Sequence, residues 1–185
     1  MVIKGFDKKG IFLDRDGVIN RAILVSGLPK SPRSVGEIEI LEGVVEAVKV
    51  IKTLKLIPIV ITNQPDVARN ITSQNQINQI NSQIGLVTGI EHFYTCFHDD
   101  SDKCNCRKPA PGLIYQAVND LSLDAQNSYL VGDRWRDISA GQAAGCKTFF
   151  IDYGYPEKKP EGNFTRVKSL TDVVRKLEGE LYGFN

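Results

Sequence analysis

Apolar and polar positions follow two different periods along this chain. Residues 11–13 and 57–61 are short apolar runs without polar alternation, the pattern of strands buried on both faces. Between such runs, apolar residues recur at steps of three and four, which lines one face of a helix. After Gly43 these are Val44, Ala47, Val48, Ile51 and Leu54. After Thr72 or Ser73, either of which can cap a helix, they are Ile77, Ile80 and Ile84, and the Asn and Gln residues between them read as solvated surface.

The same alternation continues to the end. Residues 92–97 predict a third strand, and Pro111 opens a helix with Ile114, Ala117, Val118 and Leu121 on its inner face. Residues 128–131 predict a fourth strand running into Gly132-Asp133. A short helix then stops at Gly145, and residues 147–151 predict a fifth strand. Residues 153–164, rich in Gly, Pro and Lys, read as a surface loop, and Leu170, Val173, Val174 and Leu177 mark a last amphipathic helix.

Strands alternating with helices predict an α/β fold: one domain over residues 1–185, built on a doubly wound, Rossmann-like, five-stranded parallel sheet with helices on both faces. No insertion is long enough for a separate cap domain. The pocket is expected to be roofed by the loop at residues 20–42 and by a Cys/His-rich loop near residue 100.

Charge narrows the function. The formal net charge is +1, with Lys and Arg scattered rather than gathered in a stripe, so no nucleic-acid partner is expected. No run approaches the ~18 apolar residues of a membrane span, and the opening MVIKGFDKKG lacks the apolar core of a leader. A cytoplasmic monomer acting on a small metabolite is the expectation.

In sheets of this kind the ligand crevice lies beyond the carboxyl ends of the strands. The first predicted strand ends in Asp14-Arg15-Asp16-Gly17, the second in Thr62-Asn63-Gln64, and the fourth in Gly132-Asp133 with Asp137 one helical turn on. A lone strand-end Asp is usually a helix cap or loop solvator. Acids on successive strands, joined by a hydroxyl and an amide, point instead to one site. Gly17 lets the backbone turn so that both acids of the first strand face it.

The segments LDRDG, ITN, RKP and GDRWRD resemble, in order, the four motifs of the haloacid dehalogenase superfamily. The resemblance implies a phosphatase in which Asp14 is the nucleophile, Asp16 the general acid and base, Thr62 a phosphate-binding hydroxyl and Lys108 the cationic stabiliser. It also implies Mg²⁺ held by Asp14, Asp16 through its backbone carbonyl, and Asp133, with Asp137 as a further ligand or outer partner. Cations are needed because a carboxylate about 4 Å from a phosphate dianion is repelled by roughly 8 kcal/mol at an effective dielectric of 20. The acid role of Asp16 requires a pKa above the ordinary value of about 3.9.

Cys96, His98, Cys104 and Cys106 offer three thiolates and an imidazole within eleven residues, the ligand set of a closed structural Zn²⁺ site. Cys146 reads as core. The zinc loop runs directly into Arg107-Lys108, and this combination is similar to the D-glycero-D-manno-heptose 1,7-bisphosphate phosphatases. That resemblance implies removal of the 7-phosphate, with substrate contacts from Asn63, Arg107, Lys108 and Arg134. Two segments depart from the family pattern: NQPDVARN replaces NQSGIARG, and the stretch after Asn20 lacks a His-Gly-Tyr-type loop. Histidinol-phosphate phosphatases resemble the chain in the same motifs. From another class, a phospho-receiver domain would hold phosphate without turnover; the second acid, Asp16, speaks against it.

Overall fold

The computed structural model describes residues 8–183; the first seven residues of MVIKGFDKKG lie outside the described residues. Strand β1 (Lys9–Leu13) is central, flanked by β4 (Leu56–Asn63) and β6 (Tyr129–Gly132), with β5 (His92–Cys96), β7 (Lys147–Ile151) and β8 (Thr165–Val167) completing the order β5-β4-β1-β6-β7-β8. Every pairing in this sheet is parallel. The sheet therefore has six strands rather than the five expected. The sixth is only three residues long, two of them exposed, so it carries no buried apolar run to announce it.

Strand alternation divides the core. Ile11 and Leu13 pack on one face with α1 (Val44–Thr53), α2 (Gln74–Thr88) and α5 (Leu170–Tyr182). Phe12 faces the other side, against α3 (Gly112–Leu121) and α4 (Trp135–Ala143). The predicted stripes are buried: Val44, Ala47, Val48 and Ile51 on α1, and Ile77, Ile80 and Ile84 on α2. Of the two candidate caps, Ser73 accepts from the Gln76 amide while Gln76 returns to the Ser73 backbone, a capping box.

The segment between β1 and α1, expected to be loop, contains an antiparallel hairpin of β2 (Ile23–Val25) and β3 (Leu28–Lys30). Its strands are mostly exposed, so they lack the one-sided burial that would give an alternating signal. No separate cap domain interrupts the described residues, and no helix among them is long and apolar enough to cross a membrane.

Chain order reverses at β1: one half of the sheet grows outward through β4 and β5, the other through β6, β7 and β8. The crevice at such a switch point opens beyond the carboxyl ends of β1 and β6. Those ends carry Asp14 and Asp133.

Candidate active site

Asp14 follows β1 directly and is buried. Its Oδ1 accepts from Lys108 Nζ at 2.7 Å and from the Arg15 backbone amide at 2.8 Å. Lys108, almost wholly enclosed, also donates to the Ile61 carbonyl at 2.9 Å and contacts Asp137 Oδ1 at 2.6 Å. The other Asp137 oxygen accepts from the Arg134 backbone amide at 3.0 Å, capping α4. Both oxygens of Asp137 are thus engaged, and this residue holds Lys108 in place.

Asp133 differs. Its carboxylate is 1% exposed, and neither oxygen has a hydrogen bond of ordinary geometry, although the Tyr155 hydroxyl faces it. One carboxylate oxygen from each of Asp14, Asp133 and Asp137 falls within a 4.8 Å cluster. Three buried acids share one ammonium, and the orphaned oxygens of Asp133 await a positive partner. The residues present therefore fit a hard divalent cation, with Asp14 and Asp133 supplying oxygens of the kind magnesium takes.

The glycines of the motifs are fitted to this cluster. A Cβ on Gly17, whose φ is +93°, would stand 2.0 Å from Asp133 Oδ2, and one on Gly132 would stand 2.1 Å from Asp137 Cβ. Each is bare because an acid fills the space.

Electrostatics follow from burial and charge. Burial, then the Asp137 charge, pushes Asp14 up to about 7 against the pull of Lys108. Burial and the Asp14 and Asp137 charges raise Asp133 well above the carboxylate range. For Lys108, burial favours the neutral amine, but the charges of Asp137 and Asp14 outweigh it and hold the ammonium.

Asp16 departs from expectation. Burial would raise its pKa, but the Arg15 charge and hydrogen bonds from Asn20, Ser31 and Arg15 hold it below the ordinary value. Five side-chain hydrogen bonds converge on this carboxylate: two from Arg15 (3.2 and 3.1 Å) and one each from Asn20 (3.0 Å), Ser31 (2.7 Å) and Gln64 (3.0 Å). The raised value required by the acid role is therefore not met here, because the carboxylate is saturated with donors.

Asp14, Asp16, Thr62, Asn63, Lys108, Arg134 and Asp137 all line one cavity of about 70 Å³, roofed by Pro29, Lys30 and Ser31 of the hairpin segment. Thr62 is buried and its hydroxyl accepts from Gln64 at 2.8 Å. Asn63 reaches the cavity wall, but its amide is committed to the Lys108 backbone, accepting at 3.1 Å and donating at 3.0 Å. Arg107 lies outside this cavity. It lines an adjoining one of about 220 Å³, shared with Lys30, Arg69, Arg134 and Arg136. These arginines are already paired with acids: Arg107 and Arg136 with Asp100, Arg69 with Asp99, and Arg134 with Glu157.

Cys96, His98, Cys104 and Cys106 come together as expected. Cys96 Sγ lies 3.7 Å from Cys104 and 3.3 Å from Cys106, and His98 Nδ1 lies 3.3 Å from Cys106 and 3.6 Å from Cys96. Zinc–sulfur bonds of about 2.3 Å in a tetrahedron place sulfurs about 3.8 Å apart, so the donor set fits zinc. Cys146 stands apart in the core beside α3 and α4.

Sequence reasoning missed Arg15, Ser31, Gln64 and Tyr155 as neighbours of the acids. Gln64 had a signal, since it stands two residues from Thr62 on the same strand direction. Ser31 and Tyr155 come from loops distant in the chain and had none.

The HAD-hydrolase-like family model matches residues 105–177. D-glycero-β-D-manno-heptose-1,7-bisphosphate 7-phosphatase of Pasteurella multocida is 30% identical over 93% of this chain and 98% of that protein. The D-glycero-α-D-manno-heptose-1,7-bisphosphate 7-phosphatase of Photorhabdus laumondii is 33% identical over 92% of this chain and 97% of that protein. Among solved structures, D,D-heptose 1,7-bisphosphate phosphatase from B. bronchiseptica, complexed with magnesium and phosphate, superposes with a TM-score of 0.77 at 26% identity, covering 93% of this chain and 99% of that one. A strand-end acid cluster on this sheet, and relatives matched over nearly their whole length and named as 7-phosphatases of one or the other heptose anomer, lead to the same place: the chain is a phosphatase and belongs to the haloacid dehalogenase-like family of D-glycero-D-manno-heptose 1,7-bisphosphate 7-phosphatases.

Proposed function

We propose that this phosphatase removes the 7-phosphate of D-glycero-D-manno-heptose 1,7-bisphosphate through a phospho-aspartate formed on Asp14. The observation that carries this reading is a pair of adjoining cavities. One is small, floored by Asp14 and Lys108; the other is lined by Lys30 and four arginines beside Asp66 and Asp100, an excess of cations that a second phosphate on the same molecule would meet by sharing arginines now paired with acids. The relatives' names supply the sugar.

Lys108 and the Arg15 amide occupy Oδ1 of Asp14, and among the described residues Oδ2 carries no hydrogen bond. Oδ2 attacks phosphorus, and the bond from phosphorus to the sugar oxygen breaks. Asp16 gives a proton to that oxygen, then takes one from the water that cleaves the phospho-aspartate. The substrate's own negative charge supplies the upward push on the Asp16 pKa that the free site lacks. Lys108 stabilises the charge that builds on the phosphoryl oxygens, and the Thr62 hydroxyl orients them. Asp14, Asp133 and the Asp16 backbone carbonyl would hold magnesium, which when bound neutralises the acids and screens the incoming phosphate.

Cys96, His98, Cys104 and Cys106 would hold a structural zinc, fixing Arg107 and Lys108 over the substrate. The clustered free thiols support a reducing, cytoplasmic setting. Residues 1–185 are read as one phosphatase domain working as a monomer.

The test is Mg²⁺-dependent phosphate release from both anomers of heptose 1,7-bisphosphate, histidinol phosphate and simple hexose phosphates, with Asp14→Asn as control. Preference for one heptose anomer, lost in Asp14→Asn, is expected. Faster release from histidinol phosphate would replace the substrate, and no release from any compound would favour a phosphate-holding domain.

A further inference from the structure

Helix α2 presents Ile77, Ile80 and Ile84 to the core, and the same inner face carries Asn81, only 6% exposed. Position 81 is four residues after Ile77 and three before Ile84, where an apolar side chain would complete the stripe. A buried amide there calls for partners, and both of its ends have one. Asn81 Oδ1 accepts from Arg15 Nη1 at 3.0 Å, and Asn81 Nδ2 donates to Thr95 Oγ1 on β5 at 3.1 Å.

Arg15 is wholly enclosed, and its other two nitrogens form a fork on Asp16: Nε to Oδ1 and Nη2 to Oδ2. A continuous chain of hydrogen bonds therefore runs Thr95, Asn81, Arg15, Asp16, buried at Asn81 and Arg15 and half-buried at its two ends, from an outer strand to a carboxylate at the cavity wall. The Arg15 guanidinium has no acceptor besides Asn81 and Asp16 among the described residues. Asn81 thus anchors the guanidinium on the side away from Asp16, and the Arg15 fork supplies two of the five hydrogen bonds that hold the Asp16 carboxylate beside those from Asn20, Ser31 and Gln64.

We propose that Asn81 is a positioning residue for Asp16, holding the acid/base carboxylate in register with the leaving oxygen through Arg15. The inference rests on the acid/base reading of Asp16. Asn81 touches no substrate; its effect passes entirely through the arginine fork.

A positioning role predicts an effect that depends on the leaving group. A sugar alkoxide needs the proton from Asp16, whereas 4-nitrophenolate leaves without one. Phosphoenzyme formation is to be followed in single turnovers with the best sugar phosphate of the panel and with 4-nitrophenyl phosphate. In Asn81→Leu, misplacement of the carboxylate should slow the sugar phosphate about tenfold or more and the aryl phosphate less than about twofold, with KM nearly unchanged. Asn81→Asp, which keeps an acceptor for Arg15 and can receive the Thr95 hydroxyl, should restore most of the loss.

Equal losses on both substrates, or none on either, overturn the proposal. If Asn81→Leu does not fold, Thr95→Val removes the outer anchor at constant shape and is judged by the same ratio of sugar to aryl rates. Asp16→Asn separates the two levels. Full sugar-phosphate activity in that variant would remove the acid role itself, while a slow Asp16→Asn beside an unaffected Asn81→Leu would remove only the relay.

Discussion

Lys108 Nζ lies 2.7 Å from Asp14 Oδ1, and the same ammonium lies 2.6 Å from Asp137 Oδ1. One buried cation thus serves two buried acids that come from opposite sides of the switch point, and Asn63 clamps its backbone from a third strand end. Desolvating such a group is costly, and the arrangement persists only because both carboxylates and the Ile61 carbonyl satisfy it.

Removing that cation should therefore be felt twice. In Lys108→Met, Asp14 and Asp137 lose their counter-charge, and stability should fall by about 3–5 kcal/mol. Turnover should fall about 10²–10³-fold, as for loss of one electrostatic stabiliser of a transition state. Adding Asp14→Asn to Lys108→Met should recover part of the stability and none of the activity. Thermal melts of the three variants decide it: a double variant no more stable than Lys108→Met would show that the pair is not coupled.

The pH dependence of the magnesium-free, zinc-loaded protein should carry the mark of Asp14. Its carboxyl is pushed up to about 7 in the folded chain, against an ordinary value near 3.8. Between these values the folded state holds a proton that the unfolded state has released, so stability is greatest below about pH 4 and declines toward pH 7. Asp14→Asn cannot show this decline. Its advantage in Tm over the wild type should grow from pH 4 to pH 7 and level off above, and a constant difference across that range would contradict the shift.

What was legible in the sequence was whatever leaves a periodic or local trace. The Ile77, Ile80, Ile84 stripe located α2, the apolar run at residues 57–61 located β4, and LDRDG and GDRWRD brought Asp14 and Asp133 to one edge. What was not legible depends on contacts distant in the chain. The Asn of α2 at position 81 was read as solvated surface because it is polar, yet it faces inward to meet Arg15. Asp16 was expected to have a raised pKa from its role. The donors that lower it include Ser31, which no local spacing ties to it.

Gly17 offers a test of the acid cluster's tightness. Gly17→Ala places a methyl group 2.0 Å from Asp133 Oδ2 at a φ of +93°, whereas Gly154→Ala, at +73°, meets nothing within 4 Å. Both variants carry a backbone penalty of about 1 kcal/mol. Only Gly17→Ala should also lose Mg²⁺ affinity and turnover, because Asp133 must move. Magnesium titrations of activity in the two variants separate strain from displacement; equal behaviour would mean that Asp133 tolerates the shift.

The Cys/His loop reaches the substrate region through arginines rather than through its own ligands. Asp100 on the loop pairs with Arg107 at 2.8 Å and Arg136 at 3.0 Å, and Asp99 grips Arg69 at 2.6 Å, a contact that pulls its carboxyl down to about 2. Loss of a zinc held by these four ligands would free the loop, so these cations would lose their fixed positions around the second cavity, and Lys108 its rigid approach. Cys104→Ser should therefore lower bound zinc from one per chain toward none and raise KM for a bisphosphate more than for a monophosphate. Cys146→Ala, which touches only core, should keep the zinc. Metal analysis beside steady-state kinetics tests the link: zinc-free Cys104→Ser with unchanged KM for both substrates would confine the loop to folding and leave the arginines without a role in recognition.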